Sequence, residues 1–191
     1  MHSKKLAIVV VGMPGSGKST LSMVAKELGI PVINLGDVVR EEVSRRGLEQ
    51  SLENLLRIAK QLREILGNDA IMKLAIPKIK DAINRHCIIL IDGVRSFDEL
   101  EYLRCNIEVE VMVLAIHTSP KSRFQRLITR GRSGDPKTWE EFKKRDLEEL
   151  SWGLGNIIAL ADMVIINEKS YEEFISNVRE LLFGVYLNWC T

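Results

Sequence analysis

The chain has 191 residues, of which 46% are hydrophobic and 28% charged, and its 27 Lys and Arg nearly balance its 26 Asp and Glu. That length suits a single domain with a sizeable core. A net charge of +1 supplies no basic field for a polyanion, so nucleic acid is not an expected partner.

The chain starts Met1-His-Ser-Lys-Lys ahead of a six-residue apolar run at 6–11. This mimics a short secretory signal, but it leads into a glycine-rich loop rather than a small-residue cleavage site, so no targeting segment is expected. No apolar stretch approaches the roughly 18 residues needed to span a bilayer. Cys87, Cys105 and Cys190 lack metal-ligand spacing and imply no disulfide framework. Reduced thiols in a cytoplasmic protein are the expectation.

Leu-Ala-Ile-Val-Val-Val at 6–11 predicts a buried strand, and apolar residues at Leu21, Val24, Ala25 and Leu28 predict a helix over 18–28. Between them stands Gly12-Met13-Pro14-Gly15-Ser16-Gly17-Lys18-Ser19-Thr20, a complete phosphate-binding loop G-x-x-x-x-G-K-[ST]. Its glycines let consecutive backbone N–H groups approach a triphosphate. Lys18 supplies a cation for the β- and γ-phosphates, and Ser19 a hydroxyl for Mg²⁺. The phosphates would sit at a helix N-terminus, where donors and dipole both favour negative charge.

A second strand is expected at 31–34, followed by Gly36-Asp37-Val-Val-Arg40. Asp37 and Arg40 are three apart at a helix start and share a side, so Arg40 could offer its planar fork to a second phosphate. The alternative is an N-capping Asp37 beside a solvated Arg40. Residues 36–85 then run helically without a strand. Leu52, Leu55, Leu56, Ala59, Leu62, Ile65 and Leu66 predict one face, ended by Gly67, and Asn68-Asp69 can cap a further helix with a kink at Pro77. The interval reads as a mobile helical lobe or as a long crossover of several helices.

The third strand, at 87–91, ends in Asp92-Gly93-Val-Arg95. An Asp at the tip of a core strand commonly holds the Mg²⁺ shell in triphosphate sites. Capping of the next helix is the competing role, for which Ser96 is also available. A fourth strand, at 109–116, leads to His117, which reads more readily as structural than as a site residue.

Residues 121–145 then carry nine cations against Asp135, Glu140 and Glu141. Arg123, Arg126 and Arg130 share a helix face, and 130–136 reads as a flexible loop. An arginine-bearing lid at about 126–137 would suit phosphoryl transfer, whose transition state spreads negative charge over equatorial oxygens. The competing readings are a solvated charged face and a nucleic-acid patch. A last strand at 163–166 ends at Asn167, where its groups could meet an adenine, and a covering helix follows from Tyr171 to Leu187. Trp152, Trp189, Tyr171 and Tyr186 read as packing groups.

The alternation of strands and helices predicts an α/β three-layer sandwich, a five-stranded parallel sheet with helices on both faces. In order, the motifs resemble the nucleoside monophosphate kinases, adenylate kinase above all. Gly-Met-Pro-Gly-Ser-Gly-Lys-Ser, Asp-Val-Val-Arg, Asp-Gly-Val-Arg-Ser and Ala-Asp-x-x-Ile-x-Asn together resemble more closely an archaeal adenylate-kinase-related family of unassigned substrate.

The resemblance covers nearly the whole chain and implies a P-loop kinase fold in one domain. The core would be 1–35, 86–120 and 138–191, with an acceptor-binding insert at about 36–85. It implies ATP and Mg²⁺ as cofactors, and a catalytic set of Lys18, Asp37, Asp92, Arg126 and Arg130. Acceptor contacts fall to Asp37, Arg40, Arg95 and Arg145, and metal contacts to Ser19 and Asp92. Asp92-Gly-Val-Arg95 lacks the proline of the adenylate kinase Asp-Gly-Phe-Pro-Arg, and the lid is short, so AMP is not carried over as the acceptor. The expected partner is a small phosphorylated or nucleotide-like acceptor, for a monomer or homodimer. A dephospho-coenzyme A kinase-like enzyme is one alternative. A nucleotide-dependent switch or weak ATPase acting on a macromolecule is the other.

Overall fold

Runs of aliphatic residues form the five strands of the computed structural model, which describes residues 5–132 and 134–190. They are β1 (Leu6–Val11), β2 (Val32–Asn34), β3 (Ile88–Asp92), β4 (Glu110–His117) and β5 (Met163–Ile166). All four pairings are parallel and the order is β2-β3-β1-β4-β5. β1 and β3 are buried along their whole length, which is why they read as continuous apolar runs rather than alternating ones. β3 and β4 each extend one residue beyond the sequence expectation, so Asp92 and His117 end their strands. The chain leaves β1 toward β2 and leaves β4 toward β5. The carboxyl ends of these two neighbours therefore form a topological switch point, where open α/β sheets bind ligands.

Side chains alternate across the sheet and feed two cores. Leu6, Ile8 and Val10 pack with α1 (Lys18–Glu27) and α9 (Tyr171–Cys190) through Leu21, Phe174 and Val178. Ala7, Val9 and Val11 pack toward the other layer, made of α2 (Leu35–Arg45), α3 (Leu52–Leu66), α4 (Ala70–Arg85), α5 (Phe97–Asn106) and α8 (Leu154–Ala159). Val43, Ile58, Met72 and Ile79 belong to this same core, so the helices of 36–85 pack directly on it. The face of α3 differs from the expected one. Ile58 and Leu62 are buried, whereas Leu56, Ile65 and Leu66 are exposed, because α3 lies across α2 and α4 on one flank only.

The remaining helices, α6 (Pro120–Arg130) and α7 (Trp139–Ser151), flank the segment expected to form a lid. Phe124, Trp139 and Phe142 pack ring against ring and tie its two feet together. Ser133, inside the expected lid, lies outside the described residues, as do Met1 to Lys4 and Thr191.

The expectation of reduced thiols is corrected at two of the three cysteines. Cys87, before β3, is disulfide-bonded to Cys190, at the end of α9, with Cα atoms 5.7 Å apart; Cys105 is free. A separation of 103 residues hid the pair, and the packing of α9 against β3 brings it together. Among the described residues no helix is long and apolar enough to cross a membrane.

Candidate active site

The loop after β1 is held from behind. Ser16 O accepts from Asn167 Nδ2 at 2.8 Å and from Thr118 Oγ1 at 3.1 Å, and Pro14 O accepts from Arg123 Nη1 at 3.2 Å. Arg123 is buried and grips Asp146 with both arms, at 2.8 and 2.6 Å. Gly17 sits at φ +114°, and a Cβ there would lie 2.5 Å from Asn167 Nδ2, so backbone freedom and close approach both require glycine. Gly15, at φ +83°, packs its backbone against Arg123 O, which a Cβ would meet at 3.0 Å.

The result is a glycine cradle leading into α1, whose first N–H groups have no partner inside the helix. Lys18 Nζ lies over it, donating to Gly12 O at 2.5 Å and to Met13 O at 3.4 Å. Burial lowers its pKa, an effect opposed chiefly by Asp92. Ser16 Oγ is buried without a partner. Cradle, ammonium and unused donors fit a polyphosphate.

Asp92 ends β3 beside this loop, buried, with Asn34 Nδ2 3.3 Å from its carboxylate. Burial raises its pKa, and Lys18 and then Arg95 oppose the rise. Ser96, not Asp92, caps α5, accepting from Glu99 N at 3.1 Å. Asp92 is thereby left for the site, facing the same cavity as Ser19.

That cavity, of about 1010 Å³, runs from the loop to the underside of α3. Arg40, Arg57, Lys60, Arg63, Arg95, Arg126, Arg130, Arg132 and Arg145 join Lys18 in its lining, against the carboxylates of Glu64, Asp92, Glu99, Glu148 and Glu149. In a nearly neutral chain this is a concentrated positive field.

The family described as AAA domain matches residues 11–143. A UPF0200 protein of Hyperthermus butylicus is 51% identical over 178 residues, covering 93% of this chain and 94% of that protein. A UPF0200 protein of Pyrococcus horikoshii is 44% identical over 185 residues, covering 96% and 100%. The chain belongs to the UPF0200 family. Among solved structures, TT1252 from Thermus thermophilus superposes with a TM-score of 0.65 at 17% identity, covering 95% of this chain and 97% of that one. Shikimate kinase from Bacteroides thetaiotaomicron gives 0.59 at 17%, covering 93% and 98%. At such identities the likeness establishes the fold, which is that of the P-loop kinases.

Within this member of the family, the cavity collects Gly12, Pro14, Gly15, Ser16, Gly17, Lys18, Ser19, Thr20, Arg40, Asp92, Arg95, Arg126, Arg130 and Arg145 from the expected set. Three residues fall elsewhere. Met13 packs against the core under the loop. Asp37 is exposed and held by Arg40 at 2.5 Å, an i, i+3 pair, and does not line the cavity. Asn167 is buried and does not line the cavity, its amide donating to Ser16 O and its oxygens accepting from Arg126 at 3.0 and 3.2 Å.

Two more arginines of the expected set are also engaged. Arg130 and Arg145 converge on Asp135, at 2.5 and 3.4 Å, and the Arg130 hydrogen bond is the main cause of that carboxyl's lowered pKa. Trp152, expected to be packing, lines the cavity with Arg95 and Arg63 over its ring at 5.2 and 5.6 Å. Arg63, Glu99 and Glu149 line the cavity as well, outside the expected set. Their one signal is charge placed within helices beside buried apolar positions.

Proposed function

We propose that the protein transfers the γ-phosphoryl group of ATP, with Mg²⁺, to a small phosphorylated or nucleotide-like acceptor. The observation that carries this reading is one continuous cavity, which begins at a phosphate-binding loop and continues, lined by cations, to the underside of α3. Its volume, about 1010 Å³, is at the upper end of the range of about 300–1,000 Å³ for small-molecule pockets, and its lining carries a second group of cations, Arg40, Arg57 and Lys60, beyond the loop.

The loop and Lys18 would hold the donor phosphates, while Arg40 and Arg95 would hold the acceptor's anionic group. Ser19 and Asp92 would hold Mg²⁺, which supplies charge neutralisation at the phosphates. Catalysis would then be positioning and electrostatic stabilisation, with no covalent enzyme intermediate. Arg130 and Arg145 line the cavity but are paired with Asp135. A transferring phosphoryl group would compete with that carboxylate for them, and closure of the lid would exclude water.

The test is incubation with γ-labelled ATP and AMP, CMP, UMP, dephospho-coenzyme A or no acceptor. Label on one acceptor is the expected result. Equal phosphate release in every tube would instead identify an ATPase.

A further inference from the structure

Beneath α3, in the cavity that Lys18 also lines, two charged groups have unused bonding capacity. Glu99 is 1% exposed, and its Oε2 accepts from the Arg95 N–H at 2.8 Å, whereas Oε1 has no hydrogen-bond partner. Arg63 Nη2 stops 3.7 Å from that oxygen, beyond hydrogen-bond reach. The Arg63 guanidinium, loosely paired with Glu99 in this way, rests on Trp152. Both residues line the cavity.

A structural pair would close, as Arg123 and Asp146 do at 2.6 and 2.8 Å. Leaving a buried carboxylate oxygen unpaired costs about 1–3 kcal/mol or more. The local structural duties of this segment are met without Oε1. Ser96 caps α5, and the other Glu99 oxygen takes the Arg95 N–H.

We propose that Glu99 Oε1 and Arg63 together recognise the far end of the acceptor, and that this end is a nucleobase edge. The carboxylate oxygen accepts from an N–H, and the guanidinium donates to the carbonyl or ring nitrogen beside it. A donor next to an acceptor is the chemistry of a base edge, and Val39, Leu55 and Ile71 give the cavity apolar walls for its faces. The inference rests on the acceptor reading above and narrows it to a base-bearing nucleotide. A site that hydrogen-bonds a polar edge rejects ligands lacking it strongly, because its own groups are then left unpaired.

The test is calorimetric titration of AMP, GMP, CMP, UMP and dephospho-coenzyme A into the full chain saturated with a non-hydrolysable ATP analogue. Ribose 5-phosphate serves as the baseless control. At least one base-bearing ligand should bind tenfold or more tightly than ribose 5-phosphate, a difference of about 1.4 kcal/mol. Glu99→Gln, which keeps the shape and replaces an acceptor with a donor, should abolish that preference. The affinities for the ATP analogue and ribose 5-phosphate should stay within twofold of wild type. Arg63→Lys, which keeps the charge and loses the fork, should weaken the preference without altering the melting temperature.

Absence of any preference over ribose 5-phosphate would overturn the proposal, as would a Glu99→Gln protein that folds and retains the preference. Binding with the expected Glu99→Gln signature but no label transfer would sink the kinase reading alone.

Discussion

The two ends of the cavity are built on opposite plans. Behind the phosphate loop the protein satisfies its backbone carbonyls, leaving Ser16 Oγ unpaired. Ser16 O has two donors, Pro14 O has Arg123, and Arg123 is closed onto Asp146. Under α3 the protein stops short, with Arg63 and Glu99 facing each other across 3.7 Å. The first arrangement fixes backbone donors in advance for a ligand part common to all nucleoside triphosphates. The second leaves polar groups for a ligand to complete, which is how a site discriminates between similar molecules.

Substitutions at the two ends should therefore fail differently. The largest effect is expected at Asp146→Ala, which leaves Arg123 buried without its carboxylate. Breaking such a pair costs about 3–5 kcal/mol, to be seen as a lower urea midpoint together with weaker ATP binding. Next comes Lys18→Ala. Transfer should fall about 10²–10³-fold, the usual loss for one electrostatic stabiliser. The melting temperature should hardly move, because burial already disfavours this cation.

Asn167→Ala removes one of two donors to Ser16 O and should cost about 1–2 kcal/mol of stability. It should raise the KM for ATP with little change in that for the acceptor. An adenine-reading Asn167 would instead alter the preference between ATP and GTP, which the same kinetics would detect.

The smallest effect lies outside the cavity. Hydrogen bonds from Arg45 and Arg46 lower the Glu42 pKa from 4.5 to about 2. A carboxyl depressed in the folded state contributes stability above its unfolded pKa and loses it as pH falls through the folded value. Thermal melts of wild type and Glu42→Gln should thus differ at pH 6 and converge toward pH 2. A gap independent of pH would remove the ion pairs as its cause.

What the sequence disclosed follows the range of the interactions involved. The strands were legible because burial on both faces leaves long aliphatic runs, and the loop because its chemistry is contained in nine consecutive residues. Asp92 was legible as a strand-end acid, and Ser96 as the competing cap. The arginines of α6 share one face by spacing, yet Arg123 turns to Asp146, Arg126 to Asn167 and Arg130 to Asp135. Periodicity names a face but not the partner waiting on it.

The same limit hid the Cys87–Cys190 bridge and the meeting of Arg63, Arg95 and Trp152, which come from three separate elements. Asp37 differs, because its i, i+3 pairing with Arg40 is local, and it was read toward a ligand instead.

Under the proposed function, one cavity holds donor and acceptor at the same time. Its most direct test is calorimetric titration of the nucleoside monophosphates into the protein with and without a saturating, non-hydrolysable ATP analogue. One monophosphate should bind one-to-one to the saturated protein. Stoichiometric expulsion of the monophosphate by the analogue would contradict it.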